Sequence, residues 1–416
     1  MSPGAIGDAI LAAAAARPDA PALTVGGETL SYMELVDGAR ALAARLPEAA
    51  PPPAAPVLAV LATEDVAAYQ GVLAAVLAGW TIVPINPRQP AARNADMLAR
   101  SGASLLIASK SADAAAAGLP DDSAISGNVG PSRLYRLAAA TQPASDATSP
   151  TACYILFTSG STGAPKGVAI SHANLEAYLA AAGAALGIGP DDRMSQTFEM
   201  TFDLSMHGIF LAWTRGAHLI AATRQDLKDP GDYLRRSRLT SWFSTPSLAF
   251  QMQLQGALRP NAYPGLRTSH FCGEALPTAL ARAWQAAAPN SRVENWYGPT
   301  EATIACARFV LPPPGEQVDA DVMPIGAPFP GTEALVCDDD LNPVADGVAG
   351  ELVLGGPQVA AGYLRDPDRT RQSFVTLPGR AGRYYRTGDR AVVRDGRLAF
   401  LGRIDAQIKL RGYRIE

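Results

Sequence analysis

No apolar run in the 416 residues approaches the ~20 positions of a membrane-spanning helix, so an integral membrane protein is set aside. The start, Met1 to Arg17, lacks a basic segment and carries Asp8; it reads as an Ala-rich helix, not an export signal. Cysteine is scarce. Cys153, Cys272, Cys306 and Cys337 are scattered, without Cys-x-x-Cys spacing, and read as reduced thiols of a cytoplasmic protein rather than a disulfide framework or zinc site. A net charge of −4 argues against a nucleic-acid surface. Catalytic metal-ligand spacings, a Gly-x-Ser-x-Gly elbow and internal repeats are all missing, which weighs against the obvious hydrolases.

What is present is a long chain with alternating helical and strand signals. Its length calls for two or three packed subdomains, and the alternation for α/β layers with parallel strands. Ser31 and Glu34 have the spacing of a capping box ahead of an Ala/Leu-rich helix reaching Leu46. Val57 to Leu61 reads as a buried strand. Ser109 to Pro150 turns to Ala, Gly, Ser, Pro and Asp and reads as a variable surface connection. Beyond it, Ser171 caps a helix with Leu175 and Leu179 on one face, closing near Gly187. Asp395-Gly396 between apolar strands predicts a tight hairpin.

The stretch richest in chemistry runs from Tyr154 to Val168. Four apolar, β-leaning residues lead into Thr158, Ser159, Gly160, Ser161, Thr162 and Gly163, then Ala164, Pro165, Lys166 and Gly167. Glycines admit close approach of backbone to a ligand, and consecutive N–H groups form an anion-binding nest. Hydroxyls and one lysine add donors and positive charge, the equipment for holding a polyphosphate. The Walker pattern needs a glycine before the lysine and Ser or Thr after it, whereas Pro165 and Gly167 flank Lys166. The dinucleotide fingerprint fails on the spacing of Gly160 and Gly163.

This stretch closely resembles the signature loop of the adenylate-forming superfamily, which includes acyl-CoA synthetases, luciferases and the adenylation domains of nonribosomal peptide synthetases. Asn295-Trp296-Tyr297-Gly298-Pro299-Thr300-Glu301 resembles a second signature of that family. The resemblance implies that Tyr297 stacks on adenine, Asn295 bonds its edge, Thr300 faces phosphate and Glu301 helps to hold Mg²⁺. These roles suit a flat ring, an amide and a hard-oxygen ligand. It also implies that Thr158, Ser159, Thr162 and Lys166 hold phosphates of ATP, and that Asp389 and Arg403 hold the ribose and its phosphate end. Gly273, Glu274 and Ala275, within Phe271-Cys272-Gly273-Glu274, would lie by the adenine; that run and Ser244-Thr245-Pro246-Ser247 look most like the D-alanine–carrier protein ligases.

Substrate class rests on Thr201-Phe202-Asp203-Leu204-Ser205. In amino-acid-activating members a similar stretch supplies the carboxylate that pairs with the substrate's α-amino group; fatty-acid and aryl-acid members lack it. By alignment the pocket walls are Leu204, His207, Phe243, His270, Cys272, Trp296, Ile304 and Ala305 around Asp203. Trp296 stands where the D-alanine ligases have a much smaller residue, so the expected cavity is shallow. The two histidines either face it or pack as satisfied core residues. The resulting order of expectation is a small or short polar α-amino acid, then D-alanine, then a proline-like ring.

The resemblance implies an α/β adenylation core of two layered subdomains plus a small β-barrel over 1–404, with 405–416 as hinge and stub of a C-terminal lid. Family members continue for roughly one more small domain, carrying a lysine of the adenylation step and part of the carrier-protein surface. The expectation is therefore a longer enzyme, cut after its hinge, that binds nucleotide but adenylates poorly. Its expected product is an aminoacyl-adenylate for a phosphopantetheine thiol on a peptidyl or acyl carrier protein. The competing readings are an acyl- or aryl-CoA ligase of the same fold and a nucleotide-binding core without turnover.

Overall fold

The structure, a computed structural model, describes residues 4–49, 56–112, 118–119, 124–137, 152–158, 165–404, 408–410 and 413–415. Strands that are apolar along their whole length must be covered on both faces, and helical crossovers supply that cover. Val57–Leu61, Thr81–Ile85 and Leu105–Ser109 are buried at every residue. They pair in parallel in the middle of a seven-stranded sheet, with Ala152–Thr158 beside Thr81–Ile85 and Lys166–Ser171 at the edge. A second sheet has nine strands. Its parallel run goes from Arg292–Tyr297 through Thr268–Phe271, Ser241–Ser244, Arg193–Gln196 and His218–Ala221 to Pro21–Val25.

The last region is an antiparallel five-stranded sheet built on the long strand Tyr384–Arg394. Among the described residues no pair joins its two ends, so it stays open there. Asp395 and Gly396 both have positive φ, 50° and 69°, and turn this strand into Arg397–Arg403.

Local signals act as their chemistry dictates. Ser31 and Glu34 exchange capping bonds at 2.8 and 3.2 Å ahead of helix Tyr32–Ala49. Ser171 caps His172–Leu186, which ends at Gly187 in the left-handed region. One expectation is corrected. The stretch read as a surface connection contains the hairpin Ala124–Val129 and Ser132–Arg136, whose second strand pairs with Leu105–Ser109. Leu134 and Tyr135 are buried there, but Ser, Gly and Asn around them break the alternation that marks a strand. Within that stretch 113–117, 120–123 and 138–150 lie outside the described residues, as does Asp405. Among the described residues no helix is long and apolar enough to cross a membrane.

The two large sheets meet near the site through polar contacts. Asn86 Nδ2, just past strand Thr81–Ile85, donates to Glu199 Oε2 at 2.7 Å. Arg88 pairs with the same carboxylate and reaches Glu64 at 3.3 Å. Glu199 stands four residues before Asp203, so the clamp holds the approach to the site helix.

Candidate active site

One strand organises the site. Side chains alternate along Arg292–Tyr297, so Arg292, Glu294 and Trp296 share one face while Val293, Asn295 and Tyr297 share the other. On the first face Trp296 meets His270, with ring centroids 4.7 Å apart. On the other, the Tyr297 hydroxyl donates to Asp389 Oδ2. Asp389 is buried and its Oδ1 accepts from Arg403 Nη1 at 2.7 Å, which also donates to the Thr387 carbonyl. Asn295 spends its amide N–H groups on the Met323 and Pro324 carbonyls, at 3.2 and 2.9 Å. Its buried Oδ1 has no hydrogen-bond partner among the described residues.

The strand leads through Gly298 and Pro299 into the short turn Thr300–Ala302. A Cβ on Gly298 would lie 2.5 Å from the Ala305 Cα, so only glycine fits. Thr303 and Ile304 follow at φ 56° and 71°, a conformation that costs a β-branched residue about 1–3 kcal/mol. Gln358 holds it: its Nε2 reaches the carbonyls of Ala302, Thr303 and Ala305 at 3.4, 3.3 and 2.8 Å. The turn thereby fixes Glu301, which is fully buried and accepts from the Tyr363 hydroxyl at 2.8 Å. Lys166 Nζ lies 3.6 Å from the same Oε1 and 5.0 Å from the Tyr363 ring centroid.

Lys166 opens the strand Lys166–Ser171 and is the Cα partner of Thr158, so both ends of the glycine-rich loop are pinned in one hairpin. Ser159, Gly160, Ser161, Thr162 and Gly163 lie outside the described residues. Thr158 Oγ1 is buried with no hydrogen-bond partner among those described. Gly273 has φ 94°, and Glu274 Oε2 accepts from the Ser247 N–H at 3.0 Å at the start of helix Pro246–Leu254. Ala275 is exposed.

Asp203 is the first residue of helix Asp203–Arg215, where the aligned N–H groups favour a negative charge. Burial first, and this nearby charge with it, holds the Tyr154 and Tyr178 hydroxyls above the usual phenol range. Leu204, His207, Phe243, His270, Cys272, Trp296, Ile304 and Ala305 are all buried. Sheet register explains the ring cluster: Phe243 is the Cα partner of His270, and His270 of Glu294. Phe243 stacks on His270 at 4.3 Å, and His207 closes on Phe243 at 4.7 Å and on Trp296 at 5.7 Å.

The histidines form a hydrogen-bonded chain. Tyr178 Oη lies 2.6 Å from His207 Nδ1, and His207 Nε2 lies 3.1 Å from His270 Nε2. Such a chain needs neutral rings, one N–H between each pair. Burial pushes the His207 pKa down to about 3, and burial with the neighbouring His207 and Arg292 pushes His270 well below its usual range. Both are neutral folded and protonate readily unfolded, so their contribution is intact above pH ~6.5 and declines as pH falls toward the folded values. Stability measured by urea unfolding should drop by about 2 kcal/mol per histidine between pH 7 and pH 5. A flat profile over that range would contradict the buried neutral chain.

Sequence reasoning did not assign site roles to Tyr178, Glu294, Gln358 and Tyr363. Glu294 carried a usable signal, a charge inside the buried strand Val293-Glu294-Asn295-Trp296. Tyr178 carried none, because a core tyrosine on an Ala/Leu helix looks the same whatever its hydroxyl meets.

The chain has known relatives in sequence and in fold. The family model described as AMP-binding enzyme matches residues 10–364. The D-alanine--D-alanyl carrier protein ligase of Bacillus velezensis is 33% identical, over 98% of this chain and 80% of that protein. The hybrid PKS-NRPS synthetase pyvA of Aspergillus violaceofuscus is 35% identical over 98% of this chain, which spans only 11% of the synthetase. The crystal structure of the Vibrio cholerae adenylation domain AlmE in complex with glycyl-adenosine-5'-phosphate superposes with a TM-score of 0.85. That match is 29% identical and covers 99% of this chain and 81% of AlmE.

Proposed function

The chain belongs to the AMP-binding enzyme family, and on that premise we propose that it activates a small α-amino acid with ATP for transfer to a carrier-protein thiol. The observation behind this reading is the two-faced strand Arg292–Tyr297: rings for a side-chain floor on one face, Tyr297 and Asp389 on the other. The substrate carboxylate attacks the α-phosphorus of ATP, and pyrophosphate leaves. An aminoacyl-adenylate forms, and a phosphopantetheine thiol then displaces AMP to give a thioester. The first step needs positioning and charge stabilisation more than covalent chemistry.

Asp203 holds the α-ammonium group. Thr158, Lys166 and the loop Ser159 to Gly163 hold phosphates, and Asp389, set by Tyr297 and Arg403, accepts from the ribose hydroxyls. The unpartnered Asn295 Oδ1 suits the exocyclic amine of adenine, and the Thr158 hydroxyl suits a phosphate oxygen. Glu301 offers the hard oxygen that Mg²⁺ takes together with phosphate oxygens, and the ion would supply charge neutralisation at the phosphates.

The ring floor favours the smallest substrates. His207 uses both ring nitrogens within the chain from Tyr178, and His270 uses one, which leaves little for a hydroxyl on the substrate. Glycine and alanine therefore rank ahead of serine. The glycyl adenylate in AlmE and the D-alanine named for the Bacillus ligase are of this size. A pyrophosphate-exchange panel tests the reading, with glycine or alanine expected to give the highest rate. Trp296→Ala should extend acceptance to larger side chains by about 10–200-fold per pocket group gained. A wild-type preference for phenylalanine or tryptophan would overturn this picture of the floor.

A further inference from the structure

Glu294 is fully buried beside the ring floor, where a carboxylate is costly. It is held from two sides. Arg292 Nε lies 2.5 Å from Oε1, and Arg308 Nη1 lies 3.1 Å from Oε2. Arg308 comes from the neighbouring antiparallel strand, where it is the Cα partner of Trp296. Both guanidinium groups also bond the Ala185 carbonyl in the last turn of helix His172–Leu186, where cations suit the helix end. The remaining contact is the informative one: Trp296 Nε1 donates to Glu294 Oε2 at 2.8 Å.

We infer that Glu294 is a specificity-positioning residue, which aims the Trp296 indole across the floor of the amino-acid pocket through that hydrogen bond. The inference rests on the amino-acid reading above. An apolar floor would pack a tryptophan without any acid. Desolvating such a carboxylate is only offset by its ion pairs, so aim rather than stability is what it adds. An N–H bond to an ionised acceptor is short and directional, and it fixes the ring rotation that packing alone leaves broad. The indole is then presented tilted to His270 at 35° and edge-on to His207 and Phe329 at 88° and 83°. With the bond removed, the ring is free to turn against these neighbours and open room below the substrate. Because Arg292 and Arg308 are partly exposed, water can take over their charges when the acid is absent.

The test is amino-acid-dependent pyrophosphate exchange, comparing kcat/KM for leucine with that for the best small amino acid. Glu294→Met, close in volume but without an acceptor, should raise the leucine-to-small ratio about tenfold or more, while Glu294→Gln, which keeps an acceptor, holds it within about twofold. Trp296→Phe removes the N–H and leaves the ion pairs intact, so it must raise the ratio by itself even if Glu294→Met folds poorly. In the Trp296→Phe background, Glu294→Met should add nothing, as expected for residues acting through one contact. KM for ATP should stay level throughout. An unchanged ratio in Trp296→Phe, an equal loss for all amino acids in Glu294→Met, or additive effects in the double variant would each overturn the inference. Wild-type protein that exchanges no amino acid would instead count against the amino-acid reading itself.

Discussion

Asp203→Ala will abolish amino-acid-dependent exchange while ATP binding stays nearly unchanged. Asp203 begins the helix Asp203–Arg215, and after burial its charge is among the causes that raise the Tyr154 and Tyr178 hydroxyls. The Tyr154 hydroxyl has no hydrogen-bond partner among the described residues, and a neutral hydroxyl cannot balance the charge of a substrate ammonium group. An ammonium group brought there loses water and must find its compensation in the carboxylate. Asp203 is half-buried, and with a substrate enclosing it the loss of one partner of the pair should cost about 3–5 kcal/mol, or two to four decades in binding. The residues proposed for the nucleotide, Tyr297 and Asp389, lie on the opposite face of Arg292–Tyr297 and in the third sheet, so calorimetry with ATP·Mg²⁺ should register little change. A variant that still selects amino acids would favour an acyl- or aryl-CoA ligase, whose substrates bring no α-ammonium group to that carboxylate.

The second large effect is expected at Glu301. Its carboxylate is fully buried against Lys166 and Tyr363, with Lys166 itself almost enclosed. Glu301→Ala leaves the ammonium of Lys166 without this carboxylate and should lower unfolding free energy by about 3–5 kcal/mol. Exchange activity should fall by about 10²–10³, the usual result of deleting a group that supports charge in the transition state. The two effects separate in the Lys166→Met/Glu301→Met double variant. Matched apolar groups commonly restore stability lost by breaking a buried pair, whereas nothing apolar can hold phosphate or Mg²⁺. Recovered stability with no recovered exchange is the expected outcome. If Glu301→Ala instead unfolds at the wild-type urea concentration and keeps full exchange, neither the structural nor the catalytic role of the pair stands.

The local grouping of the residues proposed for the nucleotide was legible in the order of residues. Thr158 and Lys166, or Tyr297 to Glu301, lie within a dozen positions of one another, and short-range spacing is what a sequence displays directly. Helix starts were equally open to reading, because Ser31 with Glu34 and Ser171 with Asn174 close their bonds within one turn. The hairpin of Ala124–Val129 and Ser132–Arg136 was not, since Leu105–Ser109, which pairs with its second strand, lies across a composition-biased stretch.

The sequence by itself determined the α/β class, the crowding of glycines and hydroxyls between Thr158 and Lys166 and the carboxylate at Asp203, each a matter of local pattern. Only the tertiary structure decided the state of the histidines, because Tyr178, His207 and His270 come from two helices and a strand. It likewise decided that Lys166 and Glu301, 135 positions apart by their numbers (301 − 166), share one buried site. The tie of Trp296 to Glu294 and Arg308 depended on strand alternation and on register with a neighbouring strand. The physical reason is common to all three. Burial and neighbouring charge set protonation, ring orientation and pairing, and both are properties of residues that meet only when the sheets have packed.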